Sequence, residues 1–278
     1  MGAYEALGLS EVTSRHSRLW RQLAAEFLGT LFIVFLGCGS AIGGWTGPQD
    51  VASVFRIAFA FGFSVAAAVE VFGHTSGAHV NPAVTVAMLL VRRIRLVPAV
   101  LYVAAQLLGG IAGSAVLRAV TPDNMGATLG RNELSAGMTA GQGLGVELMI
   151  TMLLLLVVFA VTDEHRAEMK GAASLAIGVA VTVAHLFAIK YTGCGLNPAR
   201  VFGPAVMTGY WDDHWAYWIG ELGGAILAAL MYVTMFSADD SSLYNRLFKT
   251  VCGSASISDG DNNKDIPVST VSVERITQ

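Results

Sequence analysis

Two tripeptides, Asn81-Pro82-Ala83 and Asn197-Pro198-Ala199, stand in apolar, glycine-containing surroundings: "SGAHVNPAVTVAMLL" from Ser76 and "TGCGLNPARVFGPAV" from Thr192. Asparagine and proline suit a helix interior poorly, yet both suit a helix start. Proline at the first helical position gives up an N–H that would go unpaired there anyway, and asparagine before it is a favoured N-cap. Each motif therefore begins a helix of about ten residues, roughly 15 Å long. The chemistry on offer is hydrogen bonding under a positive potential. Each helix N-terminus carries about half a positive charge, and an asparagine that caps through its oxygen keeps N–H donors to spare. The backbone of Gly77, Ala78 and His79 before the first motif, and of Gly193, Gly195 and Leu196 before the second, supplies candidate carbonyl acceptors. No nucleophile–base pair stands out, and Cys38, Cys194 and Cys252 share no metal-ligand spacing. Neither an enzyme, a metal site, a bound cofactor nor a disulfide framework is expected.

The elements that must position these groups follow from composition. Hydrophobic residues make up 54% of the 278, charged residues only 13%, and the mean hydropathy is +0.59. A soluble domain carries about 25% charged residues, so half the usual solvating charge is missing. The deficit falls between Leu19 and Phe236, which predicts an all-α integral membrane protein with the lipid bilayer as its surroundings and no nucleic-acid partner. Six stretches are long enough to cross it: Leu23–Gly43, Val54–Phe72, Leu96–Leu117, Gly145–Val161, Gly171–Ile189 and Trp215–Phe236. The two short helices cannot span alone, but end to end they cover about 30 Å, one hydrocarbon thickness. They are read as re-entrant half-helices.

Basic residues orient the stack. Ten lie on the side that carries both termini (Arg15, Arg18, Arg21, Arg92, Arg93, Arg95, Arg166, Lys170, Arg246 and Lys249), against Arg56, Arg118, Arg131 and Lys190 opposite. That bias puts both termini in the cytoplasm. Residues 1–18 form an N-terminal segment, 19–236 the membrane domain and 237–278 a serine-rich cytoplasmic tail expected to be mostly disordered, with a candidate short amphipathic helix at "SLYNRLFKTV".

The membrane domain repeats itself. Glu147 follows Glu26 by 121 positions, Asn197 follows Asn81 by 116, and Tyr217 follows Tyr102 by 115. The halves run over about 19–119 and 144–236. Three spans in each make the second half inverted, a known way to build a site at the bilayer midplane. Every span carries one polar group: Glu26, Glu70, Gln106, Glu147, His185 and Glu221. Such groups are costly at depth and face protein or water. Glu26 and Glu147 are expected to accept hydrogen bonds from the entering loops, and Gln106 and Glu221 to act similarly. Glu70 is read either as a structural acceptor or as part of the inner mouth, and His74 and His79 as braces.

A path with acceptors along one side and donors at its centre suits water, while cations and protons meet a barrier. Paired Asn-Pro-Ala motifs in the contexts "SGAHVNPAVT" and "GCGLNPAR", with six spans, resemble the aquaporin (major intrinsic protein) family over roughly 19–236. The resemblance implies a homotetramer with one water-selective pore per subunit, in the plasma membrane. It also implies a narrow filter formed by Phe61, His185, Cys194 and Arg200, with Cys194 a pore-facing thiol open to mercurials. Helix rise agrees on depth: Phe61 lies about 10 Å and His185 about 9 Å below the outer face of a 30 Å core. Glycerol-permeable members usually carry a smaller residue for this histidine and aspartate after the arginine. Here His185 is present, and Val201 fits neither that pattern nor the serine common in water-selective members. Two alternatives stay open on sequence: a channel that also passes glycerol, urea or peroxide, and a junction or adhesion protein on the same fold.

Overall fold

The structure, a computed structural model, describes residues 7–9, 11, 18–42, 51–125, 128–166 and 171–237. The tail beyond it, with Cys252, Arg246, Lys249 and the candidate amphipathic helix, lies outside the described residues, as do Arg15 and Lys170. The chain folds into α1 (Leu19–Ala41), α2 (Val51–Ser76), α3 (Pro82–Leu90), α4 (Leu96–Val120), α5 (Ala140–Val161), α6 (Ala173–Thr192), α7 (Pro198–Thr208) and α8 (His214–Met231). Six are long and apolar enough to span a bilayer, α8 together with a widened last turn, Tyr232–Phe236. The nine-residue α3 and the eleven-residue α7 are the half-helices.

Five spans begin or end three or more residues beyond their expected bounds, among them α1, which starts at Leu19, and α4, which ends at Val120. Helix α5 starts five residues early, because Thr139 and Gln142 close a reciprocal capping box. Helix α2 runs on to Ser76, directly into the first re-entrant loop. Helix α6 stops at Gly193, whose φ of 73° is the left-handed end a glycine tolerates.

Packing repeats the sequence symmetry. Helix α1 lies against α2 and α4, α5 against α6 and α8, and α2 pairs with α6 across the middle; each half-helix packs on the other half's last span, α3 on α8 and α7 on α4. Small residues set the close crossings, as expected where lipid offers no hydrophobic drive between helices. Gly109 presses on the Phe27 carbonyl of α1, and Gly224, its repeat mate, on the Leu148 carbonyl of α5. Phe27 and Leu148 stand at the same 121-position offset as Glu26 and Glu147.

The interior is an apolar core with polar groups set into it, and the outer faces are apolar. Glu26, Gln106, Glu147 and Glu221 are fully buried, while Phe32, Leu36, Phe63, Val100 and Leu108 are exposed on the outer faces. In water that surface would be an oversized apolar patch; against acyl chains it is the stable arrangement. Exposed Trp20 and Trp215 sit at the starts of α1 and α8, where amphipathic rings favour the membrane interface.

Candidate functional site

Both half-helices start as their residues dictate. Asn81 and Asn197 hold extended backbone, and proline takes the next position. The side-chain oxygen of Asn81 accepts from Ala83 N at 2.8 Å, and that of Asn197 from Ala199 N at 3.0 Å. The amide nitrogens then cross over. Asn81 Nδ2 donates to the Leu196 carbonyl and Asn197 Nδ2 to the Val80 carbonyl, each at 2.8 Å. The two motifs are thus clasped to one another, and each amide keeps one further N–H.

The preceding loops are strained. Ala78 and Val80 have φ of 45°, Cys194 58° and Leu196 63°. Left-handed backbone costs a non-glycine residue about 1–2 kcal/mol, hence a few kcal/mol per loop, and a β-branched residue such as Val80 is a genuine outlier there. What holds them is a buried carboxylate behind each loop. His79 N and Val80 N donate to the two oxygens of Glu26 at 2.9 and 2.6 Å; Gly195 N and Leu196 N donate to those of Glu147, both at 2.9 Å. Bonds to a charged group contribute about 1.5–3 kcal/mol each, enough to offset the strain.

A second set of braces was not anticipated. Ser76 Oγ donates to Glu26 at 2.6 Å and Thr192 Oγ1 to Glu147 at 2.5 Å. Tyr102 Oη donates to the Ser76 carbonyl at 3.0 Å and Tyr217 Oη to the Thr192 carbonyl at 2.8 Å. The signal was available: Thr192 follows Ser76 by the same 116 positions that separate the asparagines. Gln106 differs from the expected acceptor, because its amide donates to Glu26 at 2.8 Å. Glu70 is exposed and accepts from Ser174 Oγ at 2.7 Å, a tie between α2 and α6. His79 bonds Thr85 Oγ1 through Nδ1 at 3.2 Å and meets the Tyr102 ring edge-on.

A cavity of about 530 Å³ enters between Arg93, Thr162 and Glu164, passes Gly77, Ala78, His79, Gly195 and Leu196, and reaches both asparagines. It ends at Phe61, His185 and Arg200. There the rings of Phe61 and His185 stack with centroids 4.4 Å apart, and the Arg200 guanidinium lies 4.8 Å from the Phe61 ring centre. All three are almost wholly buried. His185 Nδ1 donates to the Val181 carbonyl at 2.9 Å, which leaves Nε2 an acceptor with no partner among the described residues. Arg200 Nη1 donates to the Gly130 carbonyl at 2.9 Å, while its Nε has no partner among the described residues. No carboxylate among the described residues forms an ion pair with it. Gly193 and Cys194 are outside the lining of this cavity; Cys194 is fully buried one residue before Gly195. Val201 is also buried and outside the lining, with its Cγ2 packed toward Gly195, so its departure from the family pattern falls on the packing side. Gly130 carried no sequence signal; its role follows from a left-handed φ of 64° that tucks it against Cys38.

Six apolar spans around a largely apolar cleft with polar groups at its loops, reaching two clasped half-helices, define an integral membrane protein of the channel class. The major intrinsic protein family model matches residues 13–232. The chain is 50% identical to Aquaporin-2 of Homo sapiens over 227 residues, covering 82% of this chain and 83% of that protein, and 48% identical to Aquaporin-4 of Mus musculus over 222 residues, covering 79% and 68%. The chain belongs to the major intrinsic protein (aquaporin) family. The aquaglyceroporin from Plasmodium falciparum shares the fold, with a TM-score of 0.69 at 22% identity, over 78% of this chain and 96% of that one.

Proposed function

We propose that this protein is a water-selective channel, carrying passive, osmotically driven flow while excluding protons and ions. The observation that carries the proposal is the reciprocal clasp between Asn81 and Asn197, part-way along a cavity that runs on to Phe61, His185 and Arg200. Water entering there trades hydrogen bonds along the loop carbonyls. At the centre it meets the remaining amide N–H groups under the positive ends of α3 and α7. A water oxygen oriented toward those donors has both hydrogens pointing away from the centre, so a continuous proton-relaying chain is broken there.

Phe61, His185 and Arg200 form the filter in this proposal, and the family resemblance adds Cys194, which lies outside the cavity lining. The unpartnered His185 Nε2 and Arg200 Nε supply one acceptor and one donor to a small polar molecule, and the unneutralised guanidinium repels cations. The family resemblance extends the proposal to a homotetramer in the plasma membrane, with residues 19–236 as the channel domain. The ten-to-four excess of basic residues supports cytoplasmic termini.

Proteoliposomes under water and glycerol gradients test selectivity. The wild type is expected to pass water and hold back glycerol. His185→Ala removes one wall of the constriction and is expected to raise glycerol flux severalfold with water flow retained. Unchanged glycerol exclusion in the variant removes His185 from the filter, and fast glycerol entry through the wild type favours the less selective channel.

A further inference from the structure

The first repeat anchors its loop with three polar side chains. Gln106 Nε2 donates to Glu26 Oε2 at 2.8 Å and to Thr85 Oγ1 at 2.9 Å, so both amide hydrogens are used. The repeat offsets carry Glu26 to Glu147, Gln106 to Glu221 and Thr85 to Val201. In the second repeat the amide has become a carboxyl and the second acceptor has become a hydrocarbon.

Glu221 is fully buried. Its Oε1 fills the space a Cβ on Gly195 would take, while Gly195 N donates to Glu147; two carboxyl groups flank one glycine. Neither oxygen of Glu221 meets a donor among the described residues, and the Asn197 N–H faces it without reaching bonding geometry. The charged and titratable groups around it are Glu147 on α5, Arg200 on α7, Cys194 in the loop and Tyr217 on its own helix. Arg200 is bonded to the Gly130 carbonyl instead. A buried carboxylate beside another, with only the Asn197 N–H turned toward it, is far costlier than a neutral acid. Glu147 cannot be the neutral member so readily, because its oxygens already accept from Thr192, Gly195 and Leu196. Glu147 Oε2 accepts one bond, from Leu196, where Glu26 Oε2 accepts two, from Val80 and Gln106. The unfilled place is the one the Gln106 amide fills.

We propose that Glu221 is a positioning residue of the second re-entrant loop, standing as a neutral carboxylic acid whose O–H is offered to Glu147 as the Gln106 amide is offered to Glu26. Glutamine has two N–H groups for two acceptors. The acid has one O–H for one acceptor, because Val201 accepts nothing. The two departures from the first repeat thus explain one another. The inference rests on the channel reading only where it concerns water flow.

Infrared difference spectra of the full chain in lipid at neutral pH, wild type minus Glu221→Gln, test it. The expected difference is the carbonyl stretch of a protonated carboxyl, shifted in heavy water, with no carboxylate bands. Loss of carboxylate bands instead overturns the proposal. Glu221→Gln keeps a donor for Glu147 and is expected to conduct water close to wild type; an order-of-magnitude loss in the folded variant also overturns it. Should the spare N–H facing Val201 prevent folding, Glu221→Gln with Val201→Thr rebuilds the first repeat's trio, and the same spectrum is read from it. Failure of both to fold counts against the proposal, since the first repeat already uses that arrangement. The spectrum does not depend on conduction, so a protein that proved not to carry water would leave this result standing.

Discussion

At the residue scale, two carboxylates do most to hold the site. Glu26 alone receives Ser76 Oγ, His79 N, Val80 N and Gln106 Nε2. Leaving buried donors unpaired costs about 1–3 kcal/mol each, which across four approaches the whole stability of a typical domain, about 5–15 kcal/mol. Glu26→Ala is therefore expected to yield no monodisperse folded protein on size-exclusion chromatography in detergent; a well-folded variant would show that the loop keeps its shape without the anchor. The asparagines, prolines and both anchoring glutamates were legible in the sequence, because each type has few uses at membrane depth. The cross-loop clasp was not: nothing in either motif alone says that its amide reaches the other loop's carbonyl. The direction of the Gln106 bond was equally hidden, since an amide serves as donor or acceptor and only its neighbour decides.

Elements were legible by length and hydropathy, and their ends by local chemistry. The early start of α5 hung on a Thr139–Gln142 capping box upstream of the apolar run, and the extent of α2 on a loop that continues the helix without a break. Helix contacts add a condition that hydropathy does not show. Gly224→Ala puts a methyl group into the Leu148 carbonyl, and overpacking of this kind costs about 1–3 kcal/mol. Gly141 sits near the start of α5 with open space around it, so Gly141→Ala gains about 0.5–1 kcal/mol of helix stability. Thermal unfolding in detergent should move in opposite directions for the two variants. A Gly224→Ala variant as stable as the wild type would mean that these crossings are looser than the contacts imply.

For the whole molecule, inversion of one three-span unit is the organising fact. It sends α3 and α7 inward from opposite faces, brings their positive ends together and lets each loop be buried against the other half. Only the second half carries the arginine, so the shared centre and the one-sided constriction are separate devices. The repeat and the polar groups set among apolar spans were both readable from the chain; the stacking of Phe61 on His185 and the service of Gly130 to Arg200 were not, because they depend on three-dimensional approach between segments with no common pattern. The central claim is that this arrangement conducts water and blocks protons. Stopped-flow shrinkage of proteoliposomes holding the purified protein, with an internal pH dye under an imposed proton gradient, tests both parts at once. The account predicts osmotic water permeability well above that of empty vesicles with proton leak unchanged. Water permeability equal to that of empty vesicles, or a proton leak that rises with the protein, would contradict it.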